Sequence, residues 1–131
     1  MVLGLWPIAA KQAEVAAVNA LGGDESLIAE VPATILKGVG LELSAVGRAE
    51  PEPGEEVVVV EDASQRSYRR LVLADGRVVG AVILGHHPES LAAATSAVKQ
   101  QRVLDEAARA AVQAGDWSAL AAPRQPADMA R

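Results

Sequence analysis

The sequence predicts an α+β fold: an N-terminal helix, a mainly antiparallel four- or five-stranded sheet, and C-terminal helices covering one face. Three observations lead there. An alanine-striped stretch with helical spacing opens the chain, β-branched runs punctuated by glycine and proline fill its middle, and helical spacing returns after Gly85. With 131 residues, half of them hydrophobic, the chain fits a single core, since domains cluster near roughly 100–150 residues.

The first helix is read in "GLWPIAAKQAEVAAVNALGG", from about Pro7 to Leu21. Proline suits a first helical turn, where its missing N–H is no loss, and Gly22-Gly23 supplies a stop. Ala9, Ala13, Ala16, Ala17 and Ala20 recur at helical spacing and form a ridge with almost no side-chain volume, shaped for close backbone approach to another surface. After Pro32, Thr34 to Val39 and Leu41 to Val46 read as two strands around Gly38 and Gly40. "AEPEPGEE" is an acidic, proline-rich loop that separates two β pieces.

"EEVVVVEDASQRSYRRLVLADGRVVGAVILG" follows as a strand, a polar connection and a hairpin closed on Asp75-Gly76. Asp-Gly between apolar runs is the signal of a type I′ turn, whose two central residues need positive φ. A two-residue loop sets Ala74 opposite Arg77, Leu73 opposite Val78 and Val72 opposite Val79. The run from Val78 to Leu84 is apolar on both faces, which places it centrally in the sheet. Pro88 then opens a helix with Glu89 in its first turn. Leu91, Ala94 and Val98 mark one apolar face, and Leu104, Ala108, Ala111 and Val112 another; the registers do not join through Lys99 to Arg102, so a break is expected there. Gly115 ends the helix, Trp117 and Leu120 fold back, and "APRQPADMAR" is expected to be a disordered tail.

Composition removes several functions. The net charge of −5 and the scarcity of aromatics oppose nucleic-acid binding, despite Arg66, Arg69 and Arg70, because Glu55, Glu56, Glu61 and Asp62 lie just upstream. Cysteine is absent, which removes disulfides and thiolate chemistry. The N-terminal apolar stretch lacks a basic flank and is cut by Pro7 and Lys11, so neither a signal peptide nor a membrane span is read, and a cytoplasmic location is expected. No Gly-x-Gly-x-x-Gly or P-loop motif cradles a phosphate. His86-His87 lacks a third histidine for a catalytic zinc, so no metal is assigned. Ser64, Ser67, Ser90 and Ser96 show no nucleophile elbow and read as loop or cap residues. Lys37, after an apolar run and before Gly38, is either a contact for an anionic cofactor or a solvent-facing strand residue.

Three segments, "GLWPIAAKQAEVAAVNALGG", "PATILKGVGLELSAVG" and "YRRLVLADGRVVGAVILG", resemble in that order the C-terminal part of FAD-dependent pyridine nucleotide reductases, of the NADH–rubredoxin reductase and nitrite reductase large-subunit type. The resemblance covers about Gly4 to Gly85 and, more weakly, the helices beyond. It implies that residues 1–23 correspond to the tail of an FAD-binding domain, residues 24–120 to a reductase C-terminal α+β domain, and residues 121–131 to a tail. The alanine ridge then becomes a face for the FAD domain. Gly4, Leu5, Trp6, Pro7 and Gln12 match the family's "GLWP…Q" segment and Lys37 the lysine of its "T-x-L-K" segment, so Trp6, Pro7, Gln12 and Lys37 are the implied cofactor-binding residues, toward FAD in an assembled enzyme. The chain departs from the pattern at Ala13, where glycine is common, at Ser44-Ala45, where an aromatic and a serine are common, and at His86-His87, where an acidic residue is usual.

The expectation is a non-catalytic accessory or assembly domain, or a small subunit, of an FAD/NAD(P)-dependent oxidoreductase. It has no catalytic residue and no cofactor of its own, and it docks on a flavoprotein domain or forms a homodimer. The alternative is a free-standing, repurposed domain that binds a small ligand or acts as a non-redox enzyme, with its pocket among Trp6, Lys37 and Tyr68.

Overall fold

A computed structural model describes residues 5–28 and 31–121. Gly4 and all but the first residue of the tail expected at 121–131 lie outside the described residues. Helix α1, Trp6–Ala20, is followed by strands β1, Ala33–Gly38, β2, Leu41–Gly47, β3, Glu56–Asp62, β4, Ser67–Ala74, and β5, Arg77–Leu84. Helices α2, Pro88–Lys99, and α3, Glu106–Gln113, and a 3-10 turn, Trp117–Leu120, complete the order. The sheet is antiparallel throughout and runs β1-β2-β5-β4-β3, with β5 at its centre as its two-faced apolar run predicts.

The hairpin between β4 and β5 turns on Asp75 and Gly76, at φ 49° and 75°. Ala74 faces Arg77 and Leu73 faces Val78, but Val72 faces Gly80 instead of Val79. Val79 is the extra residue of a β-bulge, and the reason is long-range. As the chain leaves β2, Arg48 N–H donates to the Val79 carbonyl at 2.9 Å, and a Cβ on Gly80 would lie 1.8 Å from the Arg48 carbonyl oxygen. Only glycine admits that crossing.

One face of the sheet supplies Val46, Val58, Leu71, Leu73, Val78, Ala81 and Ile83 to the core. Ala94, Ala97 and Val98 of α2, Val112 of α3, and Leu104, Trp117 and Leu120 close it from above. Small residues on α2 let its backbone approach the sheet closely. The expected break after α2 is present and has a partner: Val78 N–H donates to the Arg102 carbonyl and Leu104 N–H to the Gly76 carbonyl, so the connection pairs with the mouth of the hairpin. Asp105 caps α3 by accepting from the Ala108 N–H at 2.7 Å, and Gly115 follows its end at φ 96°.

None of the core-covering helices lies on the opposite face, where the Arg48 crossing buries Val72 and Gly80 but leaves the rest more open. Leu36, Leu43, Leu84 and Tyr68 form one cross-strand row, and Val57 and Val59 continue the same face onto β3. Antiparallel sheets that meet water normally alternate apolar and polar residues, with the polar side outward. Here that side exposes Leu36, Leu43, Val57 and Val59 beside only two charged residues of the strands, Arg70 and Glu61.

Candidate functional site

Unsatisfied apolar surface is concentrated at one end of the sequence. Among the described residues, ten of the thirteen exposed large hydrophobic side chains precede Ser44, and Trp6, Leu21, Ile28 and Val39 are the most open of them. Helix α1 has no buried residue, so its alanine ridge faces outward along its whole length. Strand β1 is exposed at all six positions, with Ile35 open on the helix side and Leu36 on the other. Hydrophobic side chains on both faces of an edge strand mark a surface made to be covered.

The four residues expected to approach a cofactor are not gathered in one pocket. Pro7 lines a small hollow with Leu5, Ile8, Val31, Ala33, Thr95 and Lys99, where the start of α1 meets β1 and α2. Trp6, beside it, is 83% exposed, and Gln12 lies exposed on α1. Lys37 stands at the other end of β1, four residues from Ala33 or about 13 Å at the usual strand rise. It lines a hollow of about 470 Å³ with Glu42, Gly85, His86 and the Gly38–Leu41 turn. Tyr68 lines a different hollow that shares Leu41 with it. The pocket among Trp6, Lys37 and Tyr68 expected on the alternative reading is therefore divided between separate places.

Charge around Lys37 is balanced locally. Its ammonium and His86 Nδ1 each lie 3.4 Å from Glu42 Oε2. The hydrogen bond with His86, and then the Lys37 charge, hold the Glu42 carboxyl below the ordinary carboxylate range. At the tip of this hairpin Val39 sits at φ 43°, a left-handed conformation that β-branched residues seldom adopt. Strain of this kind persists where surrounding structure, or a function, requires it.

Two contacts were not visible from sequence spacing. Ser67 Oγ and His87 Nε2 share a hydrogen bond of 2.7 Å across 20 residues, and Ser67 is buried. Burial, then the Arg69 charge, push His87 below the ordinary imidazole value. The pair ties the start of α2 to the start of β4 rather than presenting a nucleophile, because the hydroxyl is closed off from solvent. Arg69 itself lies over the Trp117 ring at 5.5 Å and donates to Ser90 Oγ and the Gly115 carbonyl. In the acidic loop, Arg48 is gripped by Glu52 and Glu55, and Arg70 bonds the Ala49 carbonyl and Glu50. Among the described residues no cluster of three or more potential metal ligands occurs, and no helix is long and apolar enough to cross a membrane.

A family model described as the rubredoxin NAD+ reductase C-terminal domain matches residues 32–102, from the start of β1 to the break after α2. The chain belongs to that family. Among known structures, it is similar to the NADH:rubredoxin oxidoreductase of Clostridium acetobutylicum, with 26% identity and a TM-score of 0.61 over 79% of this chain and 26% of that one. It is also similar in fold to Fdr9, with 22% identity and a TM-score of 0.68 over 94% and 31% of the two chains. No curated protein matches. The chain thus spans about a quarter to a third of the length of these two proteins, and the stretch matching the rubredoxin NAD+ reductase C-terminal domain carries the sheet and α2.

Proposed function

We propose that this chain is a non-catalytic docking module of an FAD/NAD(P)-dependent oxidoreductase, covering a flavoprotein domain with its N-terminal third. The observation that carries the reading is the concentration of exposed apolar side chains ahead of Ser44, on a helix with no buried residue and a strand exposed on both faces. The division into a docking helix at residues 1–23 and a reductase-type domain at residues 24–120 accords with the family match beginning at residue 32.

In the assembled enzyme FAD supplies hydride transfer, and Trp6, Pro7, Gln12 and Lys37 are the residues of this chain that approach it. The Lys37 hollow sets one ammonium, ion-paired to Glu42, beside glycine-rich backbone. That donor set suits one acceptor-bearing edge of a flavin, and the nucleotide cradle is left to the partner domain. Glu42 holds the ammonium in place, and a contact with Lys37 would compete with that ion pair.

The test is size-exclusion chromatography with light scattering and a visible spectrum, on the chain alone and mixed with the FAD- and NAD-binding part of an NADH:rubredoxin oxidoreductase. A colourless chain that enters a yellow complex supports the reading. Trp6→Ala and Leu36→Asp are each expected to weaken that complex about tenfold or more, as loss of an interface anchor does. Both side chains are mainly exposed in the free chain, so its unfolding free energy should stay within about 0.5 kcal/mol of the parent. A chain that ignores flavoproteins, or variants that bind unchanged, would overturn it.

A further inference from the structure

The sheet has two open edges, β1 and β3, and their chemistry differs. β1 carries a single charge, Lys37, and belongs to the apolar surface assigned above to the flavoprotein. β3 lies at the far side of the sheet. Its centre is four consecutive valines, Val57 to Val60, between Glu56 on one side and Glu61-Asp62 on the other. An edge strand leaves alternate backbone N–H and C=O groups unpaired, and a β-branched run is well suited to accept another strand. Acidic residues at both ends decide which strand.

A second copy does not fit. Antiparallel self-pairing centred between Val58 and Val59 sets Glu56 opposite Glu61 of the second copy, and parallel pairing in register stacks acid on acid. Like charges directly opposite destabilise a strand pair. Glu56 is shared with Arg109 at 2.6 Å, while Glu61 makes no ion pair among the described residues and shares the more open face with Val57 and Val59. A partner strand with cations at its ends meets carboxylates at both ends of β3.

We propose that the β3 edge receives an extended segment of another protein by strand addition, the segment being β-branched at its centre and carrying Lys or Arg at both ends. Main-chain hydrogen bonds supply the affinity, and the end charges select the partner. The site is independent of the flavoprotein reading, because β1 and β3 are opposite edges of the sheet.

The probe is a peptide labelled with fluorescein at its N-terminus, fluorescein-GGKTVTVK-NH2, whose lysines lie opposite Glu61 and Glu56 in an antiparallel pairing, titrated into the full chain by fluorescence anisotropy. Its counterparts are fluorescein-GGETVTVE-NH2, with the end charges reversed, and fluorescein-GGKTPTVK-NH2, whose proline cannot continue a ladder. The basic peptide should bind saturably, the acidic one at least about fivefold more weakly, and Glu61→Lys should weaken the basic peptide about two- to fivefold. Hydrogen exchange should show protection of β3 amides and none at β1. Equal binding of the two end-charge forms, protection on β1, no saturable binding, or a β3-paired dimer at neutral pH would each overturn the proposal.

Discussion

Single residues in this chain act mainly through space that is or is not available to them. Gly80 has none: a Cβ, fixed in place by its bond to Cα, would meet the backbone carbonyl oxygen of Arg48 at 1.8 Å, so neither can swing away. Gly80→Ala is therefore expected to destabilise the domain by about 3 kcal/mol, and Gly38→Ala, with nothing within 4 Å of the new Cβ, to stabilise it by about 0.5 kcal/mol. Urea denaturation of the two variants checks both signs. His87 sets a pH dependence. Its folded pKa lies below the ordinary 6.5 because burial and the Arg69 charge disfavour the imidazolium, so the unfolded chain binds more protons between the two values. The stability this contributes is full above about pH 6.5 and is lost as the pH falls through the folded value. His87→Gln should remove that part of the decline in a pH series of urea midpoints, leaving the acid loss due to Glu42, Glu55 and Asp62, whose carboxyls are all held below their ordinary values.

The helices divide into those that hold the fold and one that does not. α2, α3 and the 3-10 turn each bury residues in the core, whereas α1 buries none and, at 15 residues, is near the limit for a helix standing alone in water. Removing residues 1–23 should leave the unfolding free energy within about 0.5 kcal/mol of the full chain, measured by urea denaturation, and should abolish flavoprotein binding. Amide exchange along α1 should be fast in the free chain and slow in the complex. The order of elements was legible in the sequence because its signals are local: Asp75-Gly76 for the hairpin, Pro88 for the start of α2, Gly115 for the end of α3. What escaped was set by distant neighbours. The bulge at Val79 follows from Arg48 crossing Gly80, and the Ser67–His87 bond joins residues twenty apart, so neither leaves a mark in its own stretch of chain. Val39 was a further surprise, since valine does not advertise a left-handed turn position.

At the scale of the whole molecule, the sequence predicted the α+β layer and the alanine ridge, and the structure adds a partly open sheet face with Leu36, Leu43, Val57 and Val59 exposed on it. The candidate site was less legible than the fold. Trp6, Pro7, Gln12 and Lys37 were named residue by residue from a family resemblance, and the geometry that would bring them to one ligand requires a surface this chain does not contain. The strand order has a consequence for how the domain is made. β3, β4 and β5 are joined by short turns and can pair as they emerge, but β2 has to wait for β5, the last strand of the sheet to leave the ribosome. The β1–β2 hairpin, which holds the most exposed edge, is thus the last to be seated, through the β2–β5 ladder and the contact of α2 with β2. Native-state exchange should find it opening at lower free energy than β4 and β5. In a cell the newborn hairpin would spend its waiting time as the strand pair most in need of a chaperone, and the flavoprotein surface that finally covers it would complete its folding as well as its assembly.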